Sequence, residues 1–164
     1  MAVQMDQSPI EILNASRPAV APVDVNELAR KLGLRVHHTL SLPETVSGAI
    51  KREQARGEEP IFRIFVNAND HRRRQRFTLA HEIAHYVLHR DMIGDGITDD
   101  AMYRSSLGDD YERQANRMAA SILMPAQLVR QYYRGGMISL APLAEMFDVS
   151  SDAIRIRLKE LGFG

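Results

Sequence analysis

Arg76-Phe77-Thr78-Leu79-Ala80-His81-Glu82-Ile83-Ala84-His85-Tyr86-Val87-Leu88-His89-Arg90 is the stretch that decides how the rest of the chain is read. On a helix of 3.6 residues per turn, positions four apart lie one above the other, so His81 and His85 address one point, with Glu82 about 100° round from His81. A Zn²⁺ held by two imidazoles needs at least one more protein ligand and an open position for water, whose proton a neighbouring carboxylate can take. His-Glu-x-x-His supplies three of those parts. The competing reading is an amphipathic helix with polar residues on its wet face. Against it stand Phe77, Leu79, Ala80, Ile83, Ala84, Val87 and Leu88, an almost wholly apolar background. Imidazole and carboxylate groups in such a helix are costly unless something satisfies them, and metal ligation is the simplest way to do so.

A third ligand belongs on a later helix. Tyr111-Glu112-Arg113-Gln114-Ala115-Asn116-Arg117-Met118-Ala119-Ala120-Ser121-Ile122-Leu123-Met124-Pro125 places Glu112 and Asn116 four apart on one face. The carboxylate can reach the metal, and the Asn116 amide oxygen can accept from a ligand imidazole N–H behind it. Glu112 can equally be an exposed carboxylate of the first helical turn, where the helix dipole favours it.

These two stretches together, from Arg74-Gln75-Arg76 to His89 and from Tyr111 to Pro125, resemble the ImmA/IrrE family of zincin-like metallopeptidases. The resemblance covers roughly residues 20 to 161 and is strongest from 46 to 125. It implies an α+β fold and makes Glu112 the third zinc ligand beside His81 and His85, with Glu82 as the base. It implies Zn²⁺, or another divalent metal, as cofactor. The implied substrate is a helix-turn-helix repressor encoded nearby, cut to derepress genes. The chain departs from its relatives at Ala84, where they often carry Gly; Ala is the better helix former.

At 164 residues the whole chain, 1–164, is expected to form a single domain. Within it the sheet and metal site occupy about 20–134, and a helix-turn-helix-like helical part occupies 138–162. The 21 Lys and Arg balance the 21 Asp and Glu, so no global field recruits nucleic acid or anionic lipid. The absence of Cys removes disulfides, thiolate metal sites and thiol catalysis. The N-terminus lacks a secretory pattern and no run is long enough to span a bilayer, so a cytoplasmic protein without a membrane partner is expected.

In chain order, residues 1–8 read as a loose leader and Ser8-Pro9 as the start of a short helix to Ala15. Asp24 caps a second helix that Gly33 ends. Three short strands follow, Leu34–Leu40, Val46 to about Lys51, and Ile61–Asn67, making a small three-stranded antiparallel sheet packed on the metal helix. In zincin-like enzymes, which this chain resembles, an edge strand beside the metal aligns the substrate as an added strand. The basic cluster His71-Arg72-Arg73-Arg74-Gln75-Arg76 has three open readings: a solvated first turn, a phosphate contact, or a contact to an acidic partner. Cations there oppose the helix dipole, which argues that something offsets them. His89 is read as packing or as a hydrogen-bonding partner behind the ligands, since a fourth protein ligand would close the site to water. Asp91–Asp110 reads as a loop bordering the cleft. Tyr103, Tyr86 and Tyr111 are candidates to donate to the oxyanion of a tetrahedral intermediate.

The C-terminal helices carry Arg155, Arg157 and Lys159 against Glu145, Asp148, Asp152 and Glu160. A net acidic segment binds phosphate poorly, so direct DNA binding is not expected. The function read from the chain is a zinc-dependent endopeptidase acting on a protein substrate. The alternatives are a non-proteolytic member of a toxin–antitoxin pair and a DNA-binding regulator using the C-terminal helices.

Overall fold

Period-two alternation is clearest in Ile61–Asn67, and this segment is β3, one of the two inner strands of a four-stranded sheet. A computed structural model of the chain describes residues 7–100 and 102–163; most of the leader expected over residues 1–8 therefore lies outside the described residues. The elements run α1 (Pro9–Ala15), α2 (Val25–Lys31), β1 (Arg35–Thr39), β2 (Val46–Glu53), β3 (Ile61–Asn67), α3 (Arg72–His89), a 3-10 turn (Arg90–Met92), β4 (Ile97–Asp100), α4 (Asp109–Leu123), α5 (Ala126–Arg134), α6 (Leu140–Phe147) and α7 (Ser151–Glu160). No described helix is long and apolar enough to cross a membrane.

The sheet order is β1-β3-β2-β4, with β1 parallel to β3 and the other two pairings antiparallel. This corrects the expected three-stranded antiparallel sheet in two ways. β2 is committed to its hairpin with β3, whose connection turns at Gly57 with φ +80°. β1 therefore takes the far edge of β3, where its direction matches. The fourth strand comes from the segment expected to be loop. Its sequence, Ile-Thr-Asp-Asp, is half aspartate, a residue depleted in strands, yet Ile97 and Asp99 are buried and Thr98 faces out.

One face of the sheet packs on α3. Ile50 and Ile64 are cross-strand partners with no exposed surface, and they share a core with Val66, Leu79, Ala80 and Ile83. Each large aliphatic side chain so buried contributes about 1.5–3 kcal/mol relative to exposure. The other face is wetter, carrying the Arg63–Glu53 ion pair and His37 stacked on Phe65. α4 packs along α3, and its small buried residues Ala115 and Ala119 let the two helices approach closely.

The basic turn at the start of α3 is tied to the C-terminal helices. Asp148, in the turn between α6 and α7 at φ +53°, accepts from Arg72 at 2.7 Å and Arg73 at 3.2 Å, and Arg76 lies 3.4 Å from its other oxygen. That carboxylate is the offset the dipole argument required. Arg157 of α7 turns inward, donating to the Met124 carbonyl at 2.9 Å.

Candidate metal centre

α3 carries His81, Glu82 and His85 at positions with no solvent exposure. The two imidazoles stand edge to face, ring centroids 4.6 Å apart, with both Nε2 atoms turned to one point. Across from them, on the first turn of α4, Glu112 places Oε2 at 2.8 Å from His81 Nε2 and Oε1 at 3.0 Å from His85 Nε2. Ser105 donates to Glu112 Oε1 at 2.6 Å and fixes the carboxylate.

The outward nitrogens are held as firmly. His81 Nδ1 donates to Asn116 Oδ1 at 2.8 Å. His85 Nδ1 lies 3.0 Å from His89 Nδ1, and His89 Nε2 lies 2.8 Å from Gln114 Oε1. Since Gln114 Oε1 only accepts, His89 carries its proton on Nε2 and its Nδ1 accepts from His85. Both chains leave the inward Nε2 lone pairs of His81 and His85 free for a metal, the arrangement that orients imidazole ligands.

Sequence reasoning missed Asp99. It sits on β4 with no exposed surface, Oδ1 3.4 Å from His81 Nε2 and Oδ2 3.6 Å from His85 Nε2. The signal was present in the inward phase shared by Ile97 and Asp99, but it becomes visible only once Ile97–Asp100 is known to be a strand. His81, His85, Asp99 and Glu112 each offer one ligand atom, all within 4.8 Å of one another.

The group fits a divalent metal. Neither oxygen of Asp99 or Glu82, nor His85 Nε2, makes a hydrogen bond among the described residues, although all are buried. Three carboxyl groups buried around two imidazoles can all ionise only if a cation joins them; without one, Glu82 is pushed well above the carboxylate range. Tetrahedral Zn²⁺ with bonds of roughly 2.0 Å separates its ligand atoms by about 3.3 Å. The four nitrogen–oxygen separations, 2.8, 3.0, 3.4 and 3.6 Å, bracket that value.

The metal-free electrostatics follow from the same contacts. Burial pulls the His81 imidazole down, but Asp99 and Glu112 outweigh it and hold its pKa up to about 9. For Glu112, burial opposes ionisation while His81, His85 and Ser105 favour it more, leaving the carboxyl below its ordinary range. Glu82 is raised well above the ordinary carboxylate range, by burial first and then by Asp99 and Glu112.

Tyr103 covers the site. Its ring centroid is 4.9 Å from that of His81, and its hydroxyl lies 3.0 Å from Thr78 Oγ1. Tyr111 stands instead against His89, ring centroids 5.1 Å apart. Tyr86 points elsewhere, edge-on to Phe62 of β3 with Arg90 over its ring. Five residues beyond His81 it lies about 140° round the helix, so among the three candidates it is misplaced for an oxyanion.

A family model described as the IrrE N-terminal-like domain (Peptidase_M78) matches residues 29–159. The radiation response metalloprotease IrrE of Deinococcus deserti is 38% identical over 109 residues, covering 59% of this chain and 36% of that protein. The radiation response metalloprotease IrrE of Deinococcus radiodurans is 37% identical over 103 residues, covering 59% of this chain and 30% of that protein. The chain thus spans about a third of the length of these curated relatives. A solved Mycobacterium tuberculosis transcriptional regulator shares the fold with a TM-score of 0.58, at 19% identity over 92% of this chain and 45% of that one.

Proposed function

The chain belongs to the IrrE N-terminal-like peptidase family, and on that premise we propose that it is a zinc-dependent endopeptidase. The observation that carries the reading is the convergence of His81 Nε2, His85 Nε2 and the Glu112 carboxylate at one buried point beside an unpaired Glu82. His81, His85 and Glu112 hold the metal. When bound, the metal supplies Lewis acidity, polarising a peptide carbonyl and acidifying water.

The rest is done by this chain. Glu82 takes a proton from the attacking water at its carboxylate and delivers it to the leaving amine. Without metal, burial and the neighbouring Asp99 and Glu112 keep Glu82 protonated; a cation at the convergence point would oppose that shift and favour the carboxylate that takes the proton. Asn116 holds His81, and His89 with Gln114 holds His85, in the tautomer that keeps each Nε2 on the metal. Tyr103 is the donor candidate for the oxyanion, the one of the three that stands over the His81 ring.

The substrate class is a protein, and the resemblance of the two motifs to the ImmA/IrrE family points to a helix-turn-helix repressor. One observation favours a second reading. His81, Glu82, His85 and Asp99 have no exposed surface, as suits a chain that keeps the metal only to hold a binding fold in a toxin–antitoxin pair. The test is incubation of Zn-loaded protein with a helix-turn-helix repressor encoded beside it, read by intact mass. A discrete cut absent with Glu82→Gln supports the peptidase. Intact repressor in a stable complex with the metal-loaded protein supports the binding partner.

A further inference from the structure

A peptidase site must admit a peptide, and this one is closed by the chain's own strand. β2 runs beside the metal helix: a Cβ placed on Gly48 would lie 2.5 Å from Thr78 Cγ2 and 3.3 Å from Glu82 Oε1. One edge of β2 is paired with β3 and the other with β4, through Val46↔Asp100, Gly48↔Asp99, Ala49↔Thr98 and Ile50↔Ile97. An extended peptide adds to a sheet by just such edge pairing, with alternate side chains turned to the same face. Residues directly opposite in a sheet share a face. Asp99, opposite Gly48, therefore points at the metal group over the gap left by the missing side chain.

Resting on the peptidase reading, we infer that β4 is an internal occupant of the substrate strand position and that Asp99 is a resident fourth ligand of the metal, both displaced when substrate binds. Two imidazole nitrogens and two carboxylates complete a tetrahedral set, and a complete set leaves no position for water or a carbonyl. The placement of Asp99 is the independent sign: a carboxylate with no exposed surface and no well-formed hydrogen bond, its oxygens 3.4 and 3.6 Å from the two Nε2 atoms, is aimed at the point where the other ligands converge.

The pairing of the segment is weak, although Ile97 seats it in the core. β4 pairs over four residues, at the short end for a strand, and a register shift between Val46 and Gly48 interrupts the pairing. Gly94 with φ +55° precedes it, and Tyr103, a non-glycine residue with φ +55°, follows. Displacing β4 would draw Asp99 away from the two Nε2 atoms while Tyr103, tied to Thr78 of α3 through its hydroxyl, stays over the His81 ring.

The test uses the full chain loaded with Co²⁺, with acetohydroxamate as the probe of open coordination positions. The inference expects the hydroxamate to perturb the Co²⁺ visible bands of Asp99→Asn at concentrations about tenfold or more below those needed for wild type, because wild type must first release its carboxylate. It also expects hydrogen exchange over 97–100 to quicken on hydroxamate binding while 61–67 is unchanged. Equal hydroxamate titrations of the two proteins, or exchange over 97–100 that hydroxamate leaves unchanged in wild type, overturn this inference and leave the peptidase reading standing. A wild-type protein that binds no divalent metal overturns both.

Discussion

Gly48→Ala tests how tightly the sheet is seated on the metal helix. The new methyl carbon would sit 2.5 Å from Thr78 Cγ2, 2.9 Å from the Phe65 carbonyl oxygen and 3.3 Å from Glu82 Oε1. Thr78 has no exposed surface, and its hydroxyl is bonded to Tyr103, so turning it aside breaks that bond. The Phe65 oxygen belongs to the inner strand β3 and cannot move alone. Overpacking of this kind costs about 1–3 kcal/mol, and the lost hydrogen bond adds about 1 kcal/mol. Against that, replacing Gly in a regular element gains roughly 0.5–1 kcal/mol. The clash wins by about 1–3.5 kcal/mol, which at this chain length lowers Tm by about 2–14 °C. Thermal melts followed by circular dichroism read it directly. Adding Thr78→Ser, which removes the nearest clashing atom, should recover part of the loss. A Gly48→Ala protein melting at or above wild type would refute the close seating of β2 on α3.

Other consequences are equally open to measurement. Asn116→Ala removes the acceptor that orients His81 and should weaken Zn²⁺ affinity about 10–100-fold in a chelator competition; unchanged affinity would dissociate Asn116 from the site. Glu82→Gln should keep one metal per chain by elemental analysis while slowing cleavage about 10²–10⁴-fold, and a wild-type rate would remove Glu82 from the mechanism. The raised His81 pKa stabilises the metal-free fold fully below pH 6.5, and that contribution is lost as pH rises through about 9. Metal must displace the same proton, so apparent affinity should rise about tenfold per pH unit up to about 9. The Tm gap between Zn-buffered and metal-free protein should therefore widen from pH 6.5 to 9, and a constant gap would contradict it. Asp148→Ala strips Arg72, Arg73 and Arg76 of their shared carboxylate and should lower stability by about 1–3 kcal/mol in urea titration.

Local signals in the sequence carried the helices and three strands. Ser8 and Asp24 cap their helices through side chains, and the alternation of Ile61–Asn67 is that of a half-covered strand. His81, Glu82 and His85 were legible together because helical spacing alone brings them to one face. Strand order was not legible, since β1 is parallel to β3 through a pairing that skips β2, and no local residue encodes that choice. Nor was Asp99, because aspartate in a short run disfavours a strand, and only the pairing with β2 turns its carboxylate inward. Of the three tyrosines the sequence left open, Tyr86 stands apart from the imidazoles because proximity along the helix is not proximity in space: five residues put it on the sheet-facing side.

The most direct measurement is a zinc anomalous difference map from crystals of the Zn-loaded protein. One strong peak is expected within about 2.0–2.2 Å of His81 Nε2, His85 Nε2 and a Glu112 oxygen. A map with no peak there, or with zinc bound only at other residues while Glu112 stays hydrogen-bonded to His81, would contradict it.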